Sequence, residues 1–592
     1  MRGTNTYDYI VCGGGTAGCV LASRLAEDAN CSVLLIEAGK PKTEVPASAI
    51  PAGVSQILGT DADWNIQSEP CEELNGRRLH LGRGKFLGGS SGCNGTLCIR
   101  GTPQDYDDWG VEGWSGAEVF GHMKKVESFQ NKPWFEADAT AHGTDGPLLT
   151  EPHDLAPISS LVLESFQSKG LPLTPDMFST GETARGCGHA VRSVRKGVRS
   201  TAVDYLGDRV GDNVEVRTNL YVDKVVLEKT AEGDWHAASV RVQDADGAVT
   251  DFTARKEIVL TAGAYGSPAI LLRSGIGPKC ELEELGIETT LDLPGVGKNL
   301  QDHMVMLSFY EVTKPDITND HLIWHTGARE KTIEEYKTSR TGFFSQFPFG
   351  VFAFARLDDR LADNDLWRAA GTERTDDRDA LGTLASQAHV EFWNTECYSP
   401  KYMFKDFPPD GKYAFAMATT FFSPRSRGEV TLTGMDPRVN PKVQHNFLSD
   451  PLDMLVFSEG CRMANEIALE GKGTKDVIAG SWPVAHGHDR FTQREQWQEA
   501  IRQRADTCYH PGGSCKMGNA DDETAVVDAR LRVRGIRGLR VADASIMPTL
   551  PTGHPQMPVF AIAEKAAEMI ESDSSTGGSR RAVGDLMHSA GV

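Results

Sequence analysis

The chain contains 592 residues, with a formal net charge of −21 and a hydrophobic content of 40%. This length exceeds what one hydrophobic core supports, which predicts two or more domains. The negative charge disfavours nucleic acid and anionic membrane as partners, because their phosphates would be repelled, and no apolar run is long enough to cross a bilayer.

Cysteine usage and the position of the first strand bear on the compartment. Twelve cysteines in a chain of this length do not form a disulfide scaffold. The first predicted strand begins by Tyr7, which leaves no room for a signal peptide, so we expect a cytoplasmic or otherwise intracellular protein. A chain trimmed of its leader would look the same. No metal site is expected, since no C-x₂-C pair occurs and His486 and His488 lack partners at a suitable spacing.

The N-terminus predicts a nucleotide-binding βαβ unit. A strand from Tyr7 to Cys12 runs into the sequence Gly-Gly-Gly-Thr-Ala-Gly, and a helix and a second strand follow. Gly13 permits the tight turn, Gly15 lets the backbone approach a pyrophosphate, and Gly18 lets the helix pack on the strand. Glu37 ends the second strand, where an acid binds ribose hydroxyls.

Further strand patterns lie between residues 213 and 227 and between Glu257 and Gly263, and these are assigned to the same nucleotide-binding domain. The nucleotide-binding domain is expected to comprise residues 1–43, 80–110, 195–310 and 520–571, the substrate-binding domain residues 111–194 and 311–519, a lid residues 44–79, and a disordered tail residues 572–592.

Four later segments carry a specific resemblance. They are Gly84–Gly95, Gly263–Pro278, Leu293–His303, and the C-terminal run from His510 through Asp543 to Pro555. Together with the N-terminus, from about residue 7 to residue 570, the chain resembles the glucose–methanol–choline (GMC) oxidoreductase family. The resemblance implies an FAD-binding Rossmann-like α/β domain and an α+β substrate-binding domain built on an antiparallel sheet flanked by helices.

The resemblance, together with the chemistry of these segments, implies a set of FAD-binding residues. Glycine and serine near 88–91 allow close approach to a flat ring, and Arg83 is a cation for pyrophosphate. Val222 would hold the adenine through its backbone. The expected FAD-binding residues are Gly13, Gly15, Thr16, Ala17, Gly18, Glu37, Ala38, Arg83, Gly88, Ser90, Ser91, Cys93, Asn94, Gly95, Val222, Ala262, Asp543, Ala544, His554, Pro555 and Met557.

The family's catalytic pair aligns with His510 and His554, as in its glucose oxidase-like and aryl-alcohol oxidase-like members. Oxidation of an alcohol removes a proton from oxygen and a hydride from carbon, and a neutral imidazole is a suitable base at physiological pH. We predict that His510 is the base and that His554 holds the developing alkoxide, while flavin N5 takes the hydride. His303 is interpreted as structural.

Cys93 departs from the family pattern, in which an aliphatic residue is usual. A histidine at this place is bonded to the flavin in choline oxidase-like members, and a cysteine thiolate could form a similar link. A small buried apolar side chain is the other interpretation. The sequence leaves covalent attachment open.

The substrate is expected to be a nonsugar alcohol. Six phenylalanines fall between Thr341 and Arg356, and in the family this region forms the sheet that lines the substrate cavity. Aromatic walls suit an apolar or aromatic alcohol better than a hexose, although aromatic residues are also usual in the core of a sheet. Tyr509, Phe349 and Phe421 are the predicted substrate-cavity residues.

The predicted function is therefore FAD-dependent oxidation of a primary or benzylic alcohol to a carbonyl, in secondary metabolism as the resemblance implies. Oxygen or another acceptor would reoxidise the flavin. The alternative is a nonredox lyase or cyclase/dehydratase, because some relatives retain FAD and the same histidine pair for acid–base chemistry. The oligomeric state is not predicted.

Overall fold

The computed structural model describes residues 5–207, 211–374, 376–400 and 406–588. Within these residues, no helix has both the length and the apolar character needed to cross a bilayer. Two large sheets organise the chain, and helices pack around each of them.

The helices of the described residues are α1 Thr16–Leu25, α2 Pro103–Asp107, α3 Gly116–Val126, α4 Pro157–Ser168, α5 Met177–Thr180, α6 Gly263–Arg273, α7 Lys279–Glu284, α8 Asp320–Ile323, α9 Ala328–Ser339, α10 Asp358–Leu361, α11 Asp365–Thr372, α12 Pro451–Glu470, α13 Arg494–Arg504 and α14 Gln556–His588. The strands of the described residues are β1 Thr6–Cys12, β2 Val33–Ile36, β3 Glu127–Phe129, β4 Leu148–Thr150, β5 Gly186–Gly188, β6 Val194–Arg195, β7 Val198–Arg199, β8 Val214–Arg217, β9 Leu220–Lys229, β10 Trp235–Asp244, β11 Val249–Leu260, β12 Ile276–Gly277, β13 Leu291–Asp292, β14 Met304–Val312, β15 Phe349–Ala355, β16 Val390–Thr395, β17 Ala414–Phe421, β18 Glu429–Thr431, β19 Lys442–Gln444, β20 Ile478–Ser481, β21 Asp506–Thr507, β22 Ile536–Arg537 and β23 Leu539–Val541.

The first sheet is the predicted nucleotide-binding sheet. Its order is β22-β10-β11-β1-β2-β8, with β23 beside β11 and β9 beside β10. The strands β8, β2, β1, β11 and β23 are mutually parallel, whereas β9 and β10 form antiparallel pairs. Because the parallel strands are covered on both faces, β2 is buried along its whole length. Their carboxyl ends meet at one edge, where Gly13, Glu37 and Asp543 follow β1, β2 and β23.

The second sheet is antiparallel, as the resemblance implies. Its order is β20-β14-β17-β16-β15-β5, and β21 pairs with β14. Each neighbouring pair along this path is antiparallel. The long helix α12 packs on β17 and β16, and α4 packs on β15. A predicted antiparallel sheet with flanking helices is therefore confirmed.

Three features of the structure bear on the expected boundaries. Strand β14 of the second sheet begins at Met304, inside the segment assigned to the nucleotide-binding domain. Helix α3 packs on α14, although its residues were assigned to the substrate-binding domain. Helix α14 continues to His588, through most of the tail expected to be disordered from Ser572. The side chain of Asp573 forms ion pairs with Arg530 and Arg540, which hold this part of the helix. Residues 589–592 lie outside the described residues.

Candidate active site

A cavity of about 480 Å³ brings the two sheets' functional residues together. Residues at the carboxyl edge of the first sheet line one part of it, including Gly13, Glu37 and Asp543. Residues of the second sheet and its connections, including Phe349 and Trp393, line another part. Both predicted catalytic histidines also line it. One cavity therefore includes both the expected nucleotide-binding site and the expected catalytic site.

The glycine-rich loop forms the turn that the sequence predicts. Gly13 has a φ of +116° and its backbone N–H donates to the Ile36 carbonyl. A Cβ on Gly18 would lie 1.8 Å from the Gly13 carbonyl oxygen, so only glycine lets α1 approach β1 this closely. A Cβ on Gly15 would meet no atom within 4 Å, because this backbone faces the open cavity at the start of α1. The loop thus leaves space where a pyrophosphate would approach the helix N-terminus.

Glu37 lines the same part of the cavity and is buried. Its carboxylate accepts hydrogen bonds from the backbone N–H groups of Gly14 and Gly39, both at 2.8 Å. Burial raises the pKa of Glu37 to about 7, although these hydrogen bonds oppose the shift. The residue stands where an acid can accept hydrogen bonds from ribose hydroxyls.

The segment around residues 83–95 forms a second wall. Arg83 donates to the backbone carbonyl of Tyr509 at 2.7 Å, which ties this wall to the segment that carries His510. The side chain of Asn94 is held by the protein: Oδ1 accepts from Arg199 at 2.7 Å, and Nδ2 donates to Gln556. Because both Oδ1 and Nδ2 of Asn94 have protein partners, the orientation of this amide is fixed.

A third wall comes from α6 and from the end of β23. Asp543 accepts hydrogen bonds from the backbone N–H of Gly263 at 2.8 Å and from the hydroxyl of Ser267 at 2.6 Å. These contacts place the N-terminal turn of α6 beside the cavity. Val222 lies at the beginning of β9, and its carbonyl accepts a hydrogen bond from Arg273.

Most of the expected FAD-binding residues line the cavity. These are Gly13, Gly15, Thr16, Ala17, Glu37, Ala38, Arg83, Ser90, Cys93, Asn94, Gly95, Val222, Ala262, Asp543, Ala544, His554 and Pro555. Gly18, Gly88, Ser91 and Met557 are not among the lining residues.

Packing explains these four exceptions. Gly18 contacts the backbone of Gly13, and Met557 is fully buried. Gly88 donates from its backbone N–H to Gly14, while the Ser91 hydroxyl donates to the Gly88 carbonyl and accepts from the backbone N–H of Ala202. These four residues therefore pack behind the residues that line the cavity.

His510 is held from two directions. Its backbone N–H donates to Asp302 at 2.7 Å, and its Nδ1 lies 3.1 Å from Nδ1 of His303. Burial lowers the pKa of His303 to about 3, and a charge on the nearby His554 would lower it further. A neutral His303 can accept a hydrogen bond from a protonated Nδ1 of His510, which leaves a lone pair on Nε2 of His510. His303 therefore has a part in the site that its interpretation as a structural residue did not include.

His554 lies beside His510, with ring centroids 4.6 Å apart and the rings nearly perpendicular. Its Nε2 is 3.0 Å from a carboxylate oxygen of Glu391, which is fully buried. A carboxylate accepts hydrogen bonds only, so Nε2 carries a proton and the ring orientation is fixed. Glu391 comes from β16 in the second sheet, so this contact joins the two sheets at the histidine pair.

Aromatic side chains form the remaining wall. Phe343, Phe344, Phe347 and Phe349 line the cavity, and Phe349 packs on Trp393 with ring centroids 4.3 Å apart. Two of the three predicted substrate-cavity residues, Tyr509 and Phe349, are lining residues.

Phe421, the third predicted substrate-cavity residue, is not among the residues that line this cavity. Its side chain is fully buried in the core of the second sheet, where it stacks on Phe457 of α12 with ring centroids 5.9 Å apart. Both faces of β17 are buried, so the aromatic pattern alone did not tell which face meets the cavity.

Sequence reasoning missed Glu391 and Arg199. An acidic residue within the run Val390-Glu-Phe-Trp of a buried strand is unusual, because buried carboxylates need a partner. This unusual position in the sequence could have identified Glu391 as a residue of the site. Arg199 is buried and donates to the Asn94 side chain, and nothing in its local sequence indicates this role.

Asp358, Asp379 and His389 form the one group among the described residues that could hold a metal ion. Arg356 already pairs with both carboxylates, at 2.8 Å from Asp358 and 2.6 Å from Asp379. His389 Nδ1 accepts a backbone hydrogen bond from Leu357, and Nε2 lies 2.7 Å from Asp379. Arg356 thus supplies the positive charge that a metal ion would supply, and none of the three residues lines the cavity.

Comparison with known proteins identifies this arrangement. The GMC oxidoreductase N-terminal model matches residues 7–305 and the C-terminal model residues 424–563. The chain belongs to the GMC oxidoreductase family. This confirms the predicted family, and with it FAD as cofactor and an alcohol-oxidising reaction.

The relatives include both bacterial and fungal oxidoreductases. The oxygen-dependent choline dehydrogenase of Paraburkholderia xenovorans is 35% identical over 587 residues, which span 96% of this chain and 94% of the relative. A variant of formate oxidase from Aspergillus oryzae RIB40 is 27% identical with a TM-score of 0.90, covering 97% of this chain and all of the other. A fungal aryl-alcohol oxidase, 23% identical with a TM-score of 0.78 and covering 96% and 99% of the two chains, shares the fold. These oxidoreductase relatives do not favour the lyase alternative.

Proposed function

We propose that this GMC oxidoreductase oxidises a nonsugar primary or benzylic alcohol to the carbonyl, with His510 as the base and His554 as the hydrogen-bond partner of the alkoxide. The main observation behind this proposal is that both histidines line one cavity beside an aromatic wall, with their ring centroids 4.6 Å apart. When bound, FAD supplies the hydride acceptor at flavin N5. The open backbone at Gly15, together with the acids Glu37 and Asp543, fits such a dinucleotide.

His303 prepares His510 for proton removal. By accepting a hydrogen bond from the protonated Nδ1 of His510, the neutral His303 leaves the Nε2 lone pair of His510 to take the hydroxyl proton of the substrate. The backbone hydrogen bond to Asp302 holds the residue while the proton moves.

His554 stabilises the oxygen that loses this proton. Glu391 accepts the hydrogen bond from Nε2 and compensates positive charge on the ring, so Nδ1 can donate to the developing alkoxide. Removal of the hydroxyl proton raises the electron density on the adjacent carbon and so assists departure of the hydride.

The aromatic wall supports an apolar or aromatic alcohol. Phe347, Phe349 and Trp393 present ring faces and edges where a hexose would need several polar partners. Pyridoxine 4-oxidase from Mesorbium loti is 28% identical with a TM-score of 0.77, covering 95% of this chain and 98% of the other. Pyridoxine is a nonsugar alcohol built on an aromatic ring, which is the substrate class that this wall favours.

An anaerobic absorbance screen tests the proposal. The holoenzyme is mixed with benzylic, allylic, aliphatic and sugar alcohols, and bleaching of the flavin band is followed. We expect bleaching by benzylic or other nonsugar alcohols, and admission of air then separates an oxidase from a dehydrogenase. Bleaching by sugars alone would contradict the substrate class, and no bleaching with any alcohol would contradict the reaction.

The variant His510→Ala tests the assignment of the base. It should retain FAD and lose turnover by roughly 10²-fold or more. His122→Ala is the control, since His122 lies on α3 outside the cavity and pairs with Glu568. Near-normal turnover in His510→Ala would overturn the assignment.

A further inference from the structure

The cavity is lined by five charged side chains within the described residues, and four of them have partners in the protein. These five are Glu37, Arg83, Arg273, Arg329 and Asp543. Glu37 and Asp543 accept hydrogen bonds from backbone N–H groups, Arg83 donates to the Tyr509 carbonyl, and Arg273 donates to the Asp223 carbonyl. Arg329 is the exception: no hydrogen bond or ion pair joins its side chain to another described residue.

Arg329 lies in the aromatic part of the cavity wall. It belongs to the first turn of α9, which packs against α8 and against the segment Phe343–Ser345. Ile323, Trp324, Phe343 and Phe344 from these elements line the cavity with it. Arg329 is partly exposed, and a guanidinium without a partner among the described residues that faces a cavity can bind an anion through charge-assisted hydrogen bonds.

The position of Arg329 does not stabilise its own helix. The N-terminal end of a helix carries partial positive charge, so a cation in the first turn is unfavourable there. An anion in the cavity beside Arg329 would offset both the charge of the guanidinium and the partial positive charge of the helix end.

We propose that Arg329 is a specificity residue that binds a carboxylate of the substrate, so that the natural substrate is an apolar or aromatic alcohol with a carboxylate remote from its hydroxyl. This inference rests on the proposed function, since the hydroxyl must lie at His510 while the carboxylate lies at Arg329. The planar guanidinium can donate two parallel hydrogen bonds to the two carboxylate oxygens.

The same geometry disfavours a cationic alcohol such as choline. Aromatic rings can surround a quaternary ammonium group, but Arg329 places a like charge in that wall. The acids of the cavity lining within the described residues, Glu37 and Asp543, lie after β2 and β23 at the nucleotide end. The aromatic wall therefore carries the positive charge of Arg329, whereas a cationic substrate would be favoured by a negative charge.

The test compares three alcohols on the holoenzyme, namely 4-(hydroxymethyl)benzoate, its neutral isostere 4-(hydroxymethyl)benzamide, and choline. Each alcohol is given to wild type, Arg329→Gln and Lys331→Gln. Lys331 is exposed on the same helix and is not a lining residue, so its variant removes the same charge from the same helix. A binding readout that does not depend on turnover uses sodium benzoate against benzamide, followed by perturbation of the flavin absorbance.

In wild type and Lys331→Gln we expect a preference of about tenfold or more in kcat/KM for the benzoate alcohol over the benzamide alcohol. Arg329→Gln should abolish this preference, mainly through KM, and should abolish the tighter binding of benzoate.

An unchanged preference in Arg329→Gln, or faster oxidation of choline than of the benzoate alcohol by wild type, would overturn the inference. If no alcohol bleaches the flavin while benzoate binding still depends on Arg329, the anion site stands and the proposed reaction fails.

Discussion

Nδ1 of His303 lies 3.1 Å from Nδ1 of His510, so one of these two buried imidazoles donates a hydrogen bond to the other. Their rings are nearly perpendicular, and His303 also packs against Phe422. Because burial keeps the pKa of His303 near 3, this partner stays neutral at the pH values at which alcohols are oxidised. The tautomer of His510, the proposed base, is thus controlled by a residue outside the cavity lining.

Replacement of His303 should therefore change the pH dependence of the reaction. His303→Leu removes the acceptor, and kcat should fall by roughly 10-fold or more with a displaced pH profile, as for other partners that orient a reactive histidine. His303→Asn retains an acceptor oxygen and should recover part of the rate. Steady-state kinetics across pH check this, and a reduced rate with an unshifted pH profile in His303→Leu would indicate a packing role only.

Glu391 should be equally important for His554. In Glu391→Gln the partner of Nε2 changes from a carboxylate to a neutral amide, so positive charge on the ring is no longer compensated, and kcat should fall by roughly 10- to 100-fold with a smaller change in KM. Glu396→Gln is the control, because Glu396 is also buried and lies near a histidine, His153, which does not line the cavity. Equal losses in the two variants would show that burial, rather than contact with His554, explains the effect.

Gly15→Ala and Gly18→Ala should separate cofactor binding from folding. A Cβ at Gly15 meets open space in the protein, so Gly15→Ala should fold with normal thermal stability and lose FAD affinity, because the new methyl group occupies the surface that the pyrophosphate approaches. A Cβ at Gly18 would collide with the Gly13 carbonyl, so Gly18→Ala should be destabilised even without FAD. Calorimetry and FAD titration check both; normal FAD binding by Gly15→Ala would place the pyrophosphate elsewhere.

Glu37 should make the apoprotein less stable as pH rises. Its pKa is raised from 4.5 to about 7 in the folded chain, so the folded state binds more protons than the unfolded state in this interval. Its contribution, about 3 kcal/mol, is present below pH 4.5 and is lost as pH rises to about 7. Unfolding of apoprotein measured from pH 4.5 to 8 should show this loss in wild type and a smaller one in Glu37→Gln; parallel pH curves would contradict the assignment.

Cys93 should not bond covalently to FAD. Burial raises the pKa of its thiol to about 11, so the nucleophilic thiolate is scarce at neutral pH. Acid or denaturant should therefore release all of the FAD, and Cys93→Ala should retain the cofactor. A yellow polypeptide after denaturing gel filtration would show that a covalent link forms.

The sequence predicted those features that depend on local chain geometry. The spacing of Gly13, Gly15 and Gly18 between a strand and a helix is sufficient to define the turn, because each glycine meets a steric requirement within a few residues. The boundary near Met304 was harder to predict, since β14 continues directly from the segment ending at His303. Phe421 was assigned to the cavity because an aromatic strand buried on both faces gives no local sign of which side faces a ligand.

What the sequence determined by itself was the family, the nucleotide fold and FAD, and it predicted the histidine pair, since all of these rest on ordered local patterns. The tertiary structure decided which distant groups act on that pair. His303 lies 207 positions before His510, and Glu391 lies 163 positions before His554. The unpaired state of Arg329 among the described residues could likewise be read only once the neighbouring elements were in place. Contacts between residues so far apart depend on how the two sheets pack, and no pattern within a single segment encodes them.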